Sequence, residues 1–219
     1  MNPIPVEALC VGQPAPFRDG ELSAFAKTKV DGPVRITREG LKGDTQADRR
    51  NHGGQHMAVH LYPRSHRAFW LQKIGAEPLL DEPGAFGTNL AVDGLAEADV
   101  MLGDRFRLGS ALLEISQPRM PCWKIEHHFG HKGMVAAIIA SARCGWYFRV
   151  IEEGEAQADD ILERVEAQRT DWTVAEVFAE LANPKSATTL ERVKAMADCE
   201  LLSPVWRGGA RQKAEAMGG

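Results

Sequence analysis

Short apolar runs separated by turn residues dominate the first two thirds of the chain. The turns are marked by pairs such as Asp31-Gly32, Asp93-Gly94 and Gly109-Ser110. The apolar runs predict strands at residues 6–11, 25–30, 34–37, 58–61, 89–92, 105–108, 112–116, 147–151 and 161–165. Many short strands at this spacing are typical of a β-barrel or a β-sandwich.

Helical periodicity takes over towards the C-terminus. Within the β-rich part, helices are predicted only at residues 65–74, after Pro63, and at residues 133–142. After about residue 170 the apolar spacing predicts three short helices, and Thr173 followed by Glu176 has the form of a capping box. We therefore expect an α+β protein, with a mainly β domain at residues 1–169 and a three-helix segment at residues 170–219.

Composition narrows the functional classes. The chain has 219 residues, 44% of them hydrophobic, which is enough to bury a substantial core. Its net charge of −4 argues against a protein that coats nucleic acid. The sequence shows neither an apolar run long enough to cross a bilayer nor the features of a signal peptide. Four widely spaced cysteines do not suggest a disulfide framework, so we expect a cytoplasmic protein.

The run Ser-Gln-Pro-Arg-Met-Pro-Cys-Trp-Lys at residues 116–124 is the strongest chemical signal. It places Cys122 between a predicted strand and a possible helix start, on backbone that two prolines stiffen. Free N–H groups at a helix start and the charge of Arg119 favour the thiolate, which is a metal ligand or nucleophile. Most cysteines are inert instead, and we interpret Cys10, Cys144 and Cys199 as inert residues of the core or the surface.

Two glycine-rich loops are further candidates. The loop at residues 40–44 leads into Asn-His-Gly-Gly at residues 51–54, where paired glycines can bring backbone N–H groups close to an anion or simply form turns. The loop at residues 84–90 ends in Asn89, which either satisfies backbone groups or presents an amide to a ligand. His52, His56 and His60 have metal-site spacing, but Gly53-Gly54 disfavours the helix that such a site needs. We place His127, His128 and His131 on a polar surface.

In this order the motifs resemble the MOSC domain family, named after the C-terminal domain of molybdenum-cofactor sulfurases. The matching motifs are Gly-Leu-x-Gly-Asp at residues 40–44, His-Gly-Gly at 52–54, Phe-Gly-x-Asn-Leu at 86–90, Gly-Asp at 103–104 and Ser-Gln-Pro-Arg-x-Pro-Cys-x-Lys at 116–124. The resemblance extends from about residue 8 to residue 219. Each motif alone is weak, whereas their shared order is specific.

The resemblance implies a MOSC-type β-barrel followed by a small C-terminal helical bundle, and a site that binds the molybdenum cofactor (molybdopterin). By this resemblance Cys122 ligates the metal or carries sulfur, and it acts with Lys27 and Asn89. Arg119 and the loop of His52, Gly53 and Gly54 are expected to help hold the cofactor and its phosphate. Thr88 stands where many members have Glu, so any role of that acidic neighbour is missing here.

The resemblance also implies an oxidoreductase that reduces N-hydroxylated compounds such as 6-hydroxylaminopurine, and so detoxifies them. No flavin, haem or iron–sulfur motif is evident in the sequence, so we expect a separate electron-donor protein. Two alternatives stay open: a sulfur carrier, in which Cys122 holds a persulfide supplied by a partner desulfurase, and a ligand-binding module with an inert Cys122. The C-terminal helices either cap the core, where they could form a lid over the barrel mouth, or form a homodimer contact.

Overall fold

A barrel of seven strands closes on itself at the centre of this computed structural model, which describes residues 3–18, 20–45, 53–167 and 169–218. The strands of the described residues are β1 (Ile4–Val11), β2 (Ala15–Arg18), β3 (Glu21–Ser23), β4 (Thr28–Lys29), β5 (Val34–Thr37), β6 (Gly40–Leu41), β7 (Val59–Pro63), β8 (Leu90–Val92), β9 (Arg105–Leu108), β10 (Ala111–Pro118), β11 (Trp146–Glu152), β12 (Gly154–Ala156) and β13 (Ile161–Glu166). The order around the barrel is β13-β9-β10-β11-β7-β8-β1, and pairing of β1 with β13 closes it. Strands β7 and β8 run parallel, whereas the other neighbours in the barrel are antiparallel.

Side-chain alternation explains which faces of the strands form the core. In β11, Trp146, Phe148 and Val150 are buried and the residues between them are half-exposed, because successive side chains point to opposite faces of a sheet. Strand β10 is buried along its whole length, since its inner face fills the barrel and its outer face is covered by a C-terminal helix. The strand that leads to Cys122 is therefore held on both sides.

Six α-helices complete the described residues: α1 (Arg67–Ile74), α2 (Trp123–Phe129), α3 (Met134–Ser141), α4 (Val174–Ala182), α5 (Leu190–Asp198) and α6 (Pro204–Ala216). The capping box at the start of α4 is confirmed, because Thr173 and Glu176 bond reciprocally to each other's backbone N–H. The Ser203 N–H donates to the Ser116 carbonyl at 3.0 Å, which ties the start of α6 to β10. No helix within these ranges is long and apolar enough to cross a membrane.

The predicted α+β architecture, a barrel followed by helices, is confirmed. The strand predicted at residues 25–30 is wrong over residues 25–27. The Phe25 N–H donates to the Ser23 hydroxyl (3.2 Å), and the part of this segment that pairs with β1 is β4. The hairpin of β2 and β3 was not predicted. One hydrophobic core includes residues from both sides of the proposed boundary at 169/170, and the division into two domains stays a prediction.

Candidate functional site

A cavity opens on one side of the barrel, and the structure brings most of the predicted site residues to it. Its lining includes Lys27, Gly53, Asn89, Arg119 and Cys122. Gly54 follows in the same loop without lining the cavity, and the prediction for His52 lies outside the described residues. The lining residues all precede residue 148, so the C-terminal helices do not form a lid on this cavity among the described residues.

Cys122 occupies the N-cap position of α2, at the strand-to-helix turn that the sequence predicts. Its backbone is extended, with φ −133° and ψ 169°, and its carbonyl accepts from the Ile125 N–H at 3.2 Å. The residue is half-buried, in contrast to Cys10 and Cys144, which are completely buried. Among the four cysteines, Cys122 alone lines the cavity.

Lys27 and Asn89 meet at a carboxylate that the sequence analysis did not assign. The Lys27 ammonium forms an ion pair with Asp44 Oδ2, and Asn89 Nδ2 donates to the same oxygen at 2.8 Å. The second oxygen of Asp44 accepts from the Gly12 N–H at 2.7 Å. Burial lowers the pKa of Lys27, although the Asp44 carboxylate acts in the opposite direction. Asp44 thus fixes the position of the ammonium group in the cavity wall.

The Asn89 side chain is fully used by the protein. Its oxygen accepts from the His60 N–H at 2.9 Å, and Nδ2 donates to the Cys10 carbonyl at 3.0 Å as well as to Asp44. The amide therefore joins β1, β7 and the Asp44 loop, which favours the backbone-satisfying alternative raised from the sequence. In this geometry both hydrogens of Asn89 Nδ2 are used within the protein, one by the Cys10 carbonyl and one by Asp44.

Opposite these groups, the cavity wall is basic and aromatic. Arg119 is 4% exposed and lies with its guanidinium carbon 5.6 Å from the centre of the Phe25 ring. Lys124 joins Lys27 and Arg119 as a third cationic side chain of the lining. The Tyr147 ring lies beside the His60 ring, with centroids 4.8 Å apart and planes tilted by 32°. Burial raises the pKa of Tyr147, and the nearby Arg119 charge acts against that rise.

His60 was considered in the sequence only as one of three spaced histidines. His56 lies on a 3₁₀ turn and approaches Arg149, whereas His60 lies in β7 and faces Gly87. The described residues contain no group of three or more His, Cys, Asp or Glu that could hold a metal ion. Burial, and then the Arg119 charge, hold the pKa of His60 well below its usual value of 6.5.

The histidines that follow Cys122 lie outside the cavity lining. His127 is exposed and its Nε2 bonds to the Phe17 carbonyl at 2.7 Å, which agrees with the expected polar surface. His128 differs from that expectation, because it is half-buried and packs against Phe25 with ring centroids 5.4 Å apart. Burial accordingly lowers the pKa of His128.

The donors present fit a molybdenum–pterin cofactor. Such a cofactor brings its own sulfur ligands, so one soft protein ligand such as the Cys122 thiolate is sufficient. Its phosphate requires cationic donors, and the cavity lining contains Lys27, Arg119 and Lys124, while Phe25 offers an aromatic wall.

Comparisons with known proteins show which family and fold this chain shares. The family model of the MOSC domain matches residues 48–163. Protein YiiM of Escherichia coli (strain K12) is 40% identical over 163 residues, which cover 74% of this chain and 72% of that protein. The crystal structure of YiiM from Escherichia coli superposes with a TM-score of 0.81 at 29% identity, covering 99% of this chain and 94% of that one. A protein of Gibberella moniliformis named Reductase is 36% identical over 72% of this chain, but only 28% of its own length is matched.

Proposed function

This chain belongs to the MOSC domain family, and we propose that it binds a molybdenum cofactor and reduces N-hydroxylated compounds such as 6-hydroxylaminopurine. One observation carries the proposal: a half-buried cysteine lines the same cavity as a buried arginine and a carboxylate-anchored lysine. The cysteine thiolate can bind a metal, the arginine can donate hydrogen bonds to an oxygen or an anion, and the lysine can donate a proton. These are the three kinds of group that the reaction requires.

In this proposal Cys122 Sγ would be the protein ligand of the metal, and Lys124 together with the backbone of the loop at Gly53 would hold the cofactor phosphate. The bound cofactor supplies two-electron redox chemistry at the metal. Reduction of an N–OH group to N–H consumes two electrons and two protons and releases water. We assign one of these protons to Lys27 Nζ, because the ammonium lines the cavity and burial lowers its pKa towards the range in which it can donate.

The electrons need a source, and we propose a separate electron-donor protein. The fungal relative is named Reductase, and the region it shares with this chain is a small part of its length. The rest of that longer protein could carry the electron-supplying part of a redox activity. In this chain a separate protein would take that part. Trp123, the residue after Cys122, is 39% exposed, and we propose that the donor docks on this part of the surface.

An activity assay tests the proposal. The protein is expressed in a host that makes the molybdenum cofactor, and reduced methyl viologen supplies electrons in place of the partner. We expect conversion of 6-hydroxylaminopurine to adenine by the wild type and by Cys199→Ser, whose cysteine lies outside the cavity lining. Cys122→Ser should lose at least about a hundredfold in rate, a loss typical of removing a group that touches the reacting centre.

Two outcomes would contradict the proposal. Wild-type turnover by Cys122→Ser would exclude this cysteine as an essential ligand. No turnover by wild-type protein that carries molybdenum would exclude reduction of this compound, and sulfur transfer by Cys122 would then become the leading alternative.

A further inference from the structure

Two buried side chains in the cavity wall have polar atoms that no group of the protein satisfies. They are His60 Nε2 and Arg119 Nη1, in residues that are 2% and 4% exposed. Other described residues also have an unsatisfied buried atom, but none of those residues lines the cavity. Unsatisfied buried polar groups are costly and rare, so a pair of them in one cavity indicates a ligand that completes them.

The His60 ring is fixed in one tautomer and one orientation. Its Nδ1 lies 3.0 Å from the Gly87 carbonyl oxygen, which can only accept, so Nδ1 carries the proton and Nε2 is an acceptor. The backbone is equally constrained, because Asn89 accepts from the His60 N–H at 2.9 Å and donates its own N–H to the His60 carbonyl at 2.7 Å. The lowered pKa of His60 keeps the ring neutral near pH 7.

Arg119 provides the complementary group. A guanidinium can only donate hydrogen bonds. The Arg119 side chain packs against the Phe25 ring, and the backbone N–H of Arg119 donates to the Gly145 carbonyl at 3.1 Å. The cavity thus presents one unsatisfied acceptor and one unsatisfied donor. A ligand satisfies both with a group that carries a hydrogen and a lone pair on the same or adjacent atoms.

We propose that His60 and Arg119 together recognise the N–O group of the substrate, with the hydroxyl hydrogen donated to His60 Nε2 and the oxygen accepting from Arg119 Nη1. The proposal rests on the proposed function and adds the residues that select the oxidised substrate over its product. The amine product lacks the oxygen and leaves Arg119 Nη1 unpaired, so it binds more weakly and is released. His60 is then a specificity-determining residue.

Isothermal titration calorimetry tests the recognition role of His60 and Arg119 by measuring ligand affinity, with no need for a catalytic reaction. The ligands are 6-hydroxylaminopurine, its O-methyl ether, which lacks the hydroxyl hydrogen, and adenine, which lacks the oxygen. Wild-type protein should bind the hydroxylamine about tenfold more tightly than either of the others, which corresponds to one hydrogen bond of about 1.4 kcal/mol. In His60→Phe, which keeps an aromatic ring beside Tyr147, the preference over the ether should fall to within about twofold. His56→Phe, outside the cavity lining, is the matched control and should keep the full preference.

An unchanged preference in His60→Phe would overturn the proposal, and so would equal wild-type affinities for all three ligands, which would show that the two atoms bind solvent only. If His60→Phe does not fold, His60→Gln replaces it, with the preference for hydroxylamine over ether again expected to fall and an unchanged preference again decisive. The two proposals fail separately. Turnover without the predicted preference removes the recognition role, whereas the preference without turnover by molybdenum-loaded protein removes the reductase.

Discussion

Replacing Asn89 by alanine should destabilise the fold as well as impair the site. The change removes the acceptor of the His60 N–H and the donor to the Cys10 carbonyl, and Asp44 loses one of its donors. Asn89 is 3% exposed, so water does not readily replace these bonds. Each buried group left unpaired costs about 1–3 kcal/mol. The two backbone groups together predict a loss of about 2–6 kcal/mol in the free energy of unfolding, a large part of the stability of a typical domain.

Urea denaturation followed by tryptophan fluorescence measures this loss, with linear extrapolation and a check that the m-value is unchanged. Asn183→Ala is the matched control, because that side chain makes an exposed bond to the Lys185 N–H at 2.9 Å, and its loss should stay below about 1 kcal/mol. A loss below about 1 kcal/mol for Asn89→Ala, at an unchanged m-value, would refute the view that this amide joins the strands. Asn89 would then be free to serve a ligand directly.

Further predictions concern pH, glycine positions and thiol reactivity. Since the folded state holds the pKa of His60 well below the unfolded value of 6.5, the unfolded state binds the extra proton and stability falls as pH drops below about 6.5. Between about pH 7.5 and about pH 5.5 the free energy of unfolding, measured by urea titration, should fall by about 1.4 kcal/mol less in His60→Gln than in the wild type. An identical pH dependence would contradict the lowered pKa of His60. Gly145→Ala should lower the melting temperature, because φ is +68° and the added Cβ would lie 2.5 Å from the Leu61 carbonyl oxygen. Gly208→Ala, within α6, is the control: its Cβ meets no atom within 4 Å, so the melting temperature should rise slightly. Alkylation of the native protein by iodoacetamide, read by peptide mass spectrometry, should spare Cys10, because burial raises its pKa to about 11, and rapid labelling there would contradict the buried position.

The sequence predicted the barrel strands well because their signals are local. Alternation along β11 and the turn pairs between strands depend on neighbouring residues, and so does the capping box of α4. The position of Cys122 at a strand-to-helix turn was also readable, since the prolines beside it constrain the backbone locally. The hairpin of β2 and β3, which the sequence analysis missed, also has a local signal in the Asp-Gly pair at residues 19–20.

The interior of the site could not be read in the same way. Asp44 pairs with Lys27 across 17 positions and with Asn89 across 45, and only the folded chain brings these side chains together. The tautomer of His60 depends on a carbonyl 27 residues away. Family resemblance indicated Lys27 and Asn89, but their mutual dependence through one buried carboxylate is a property of the tertiary structure.

The central claim is that Cys122 holds a molybdenum cofactor in this cavity. Its most direct test is the molybdenum content, by plasma mass spectrometry, of folded protein purified from a cofactor-competent host, with Cys122→Ser and Cys199→Ser prepared in parallel. The account predicts near-stoichiometric metal in the wild type and in Cys199→Ser, and almost none in Cys122→Ser. Equal molybdenum in all three proteins, or none in the folded wild type, would contradict it.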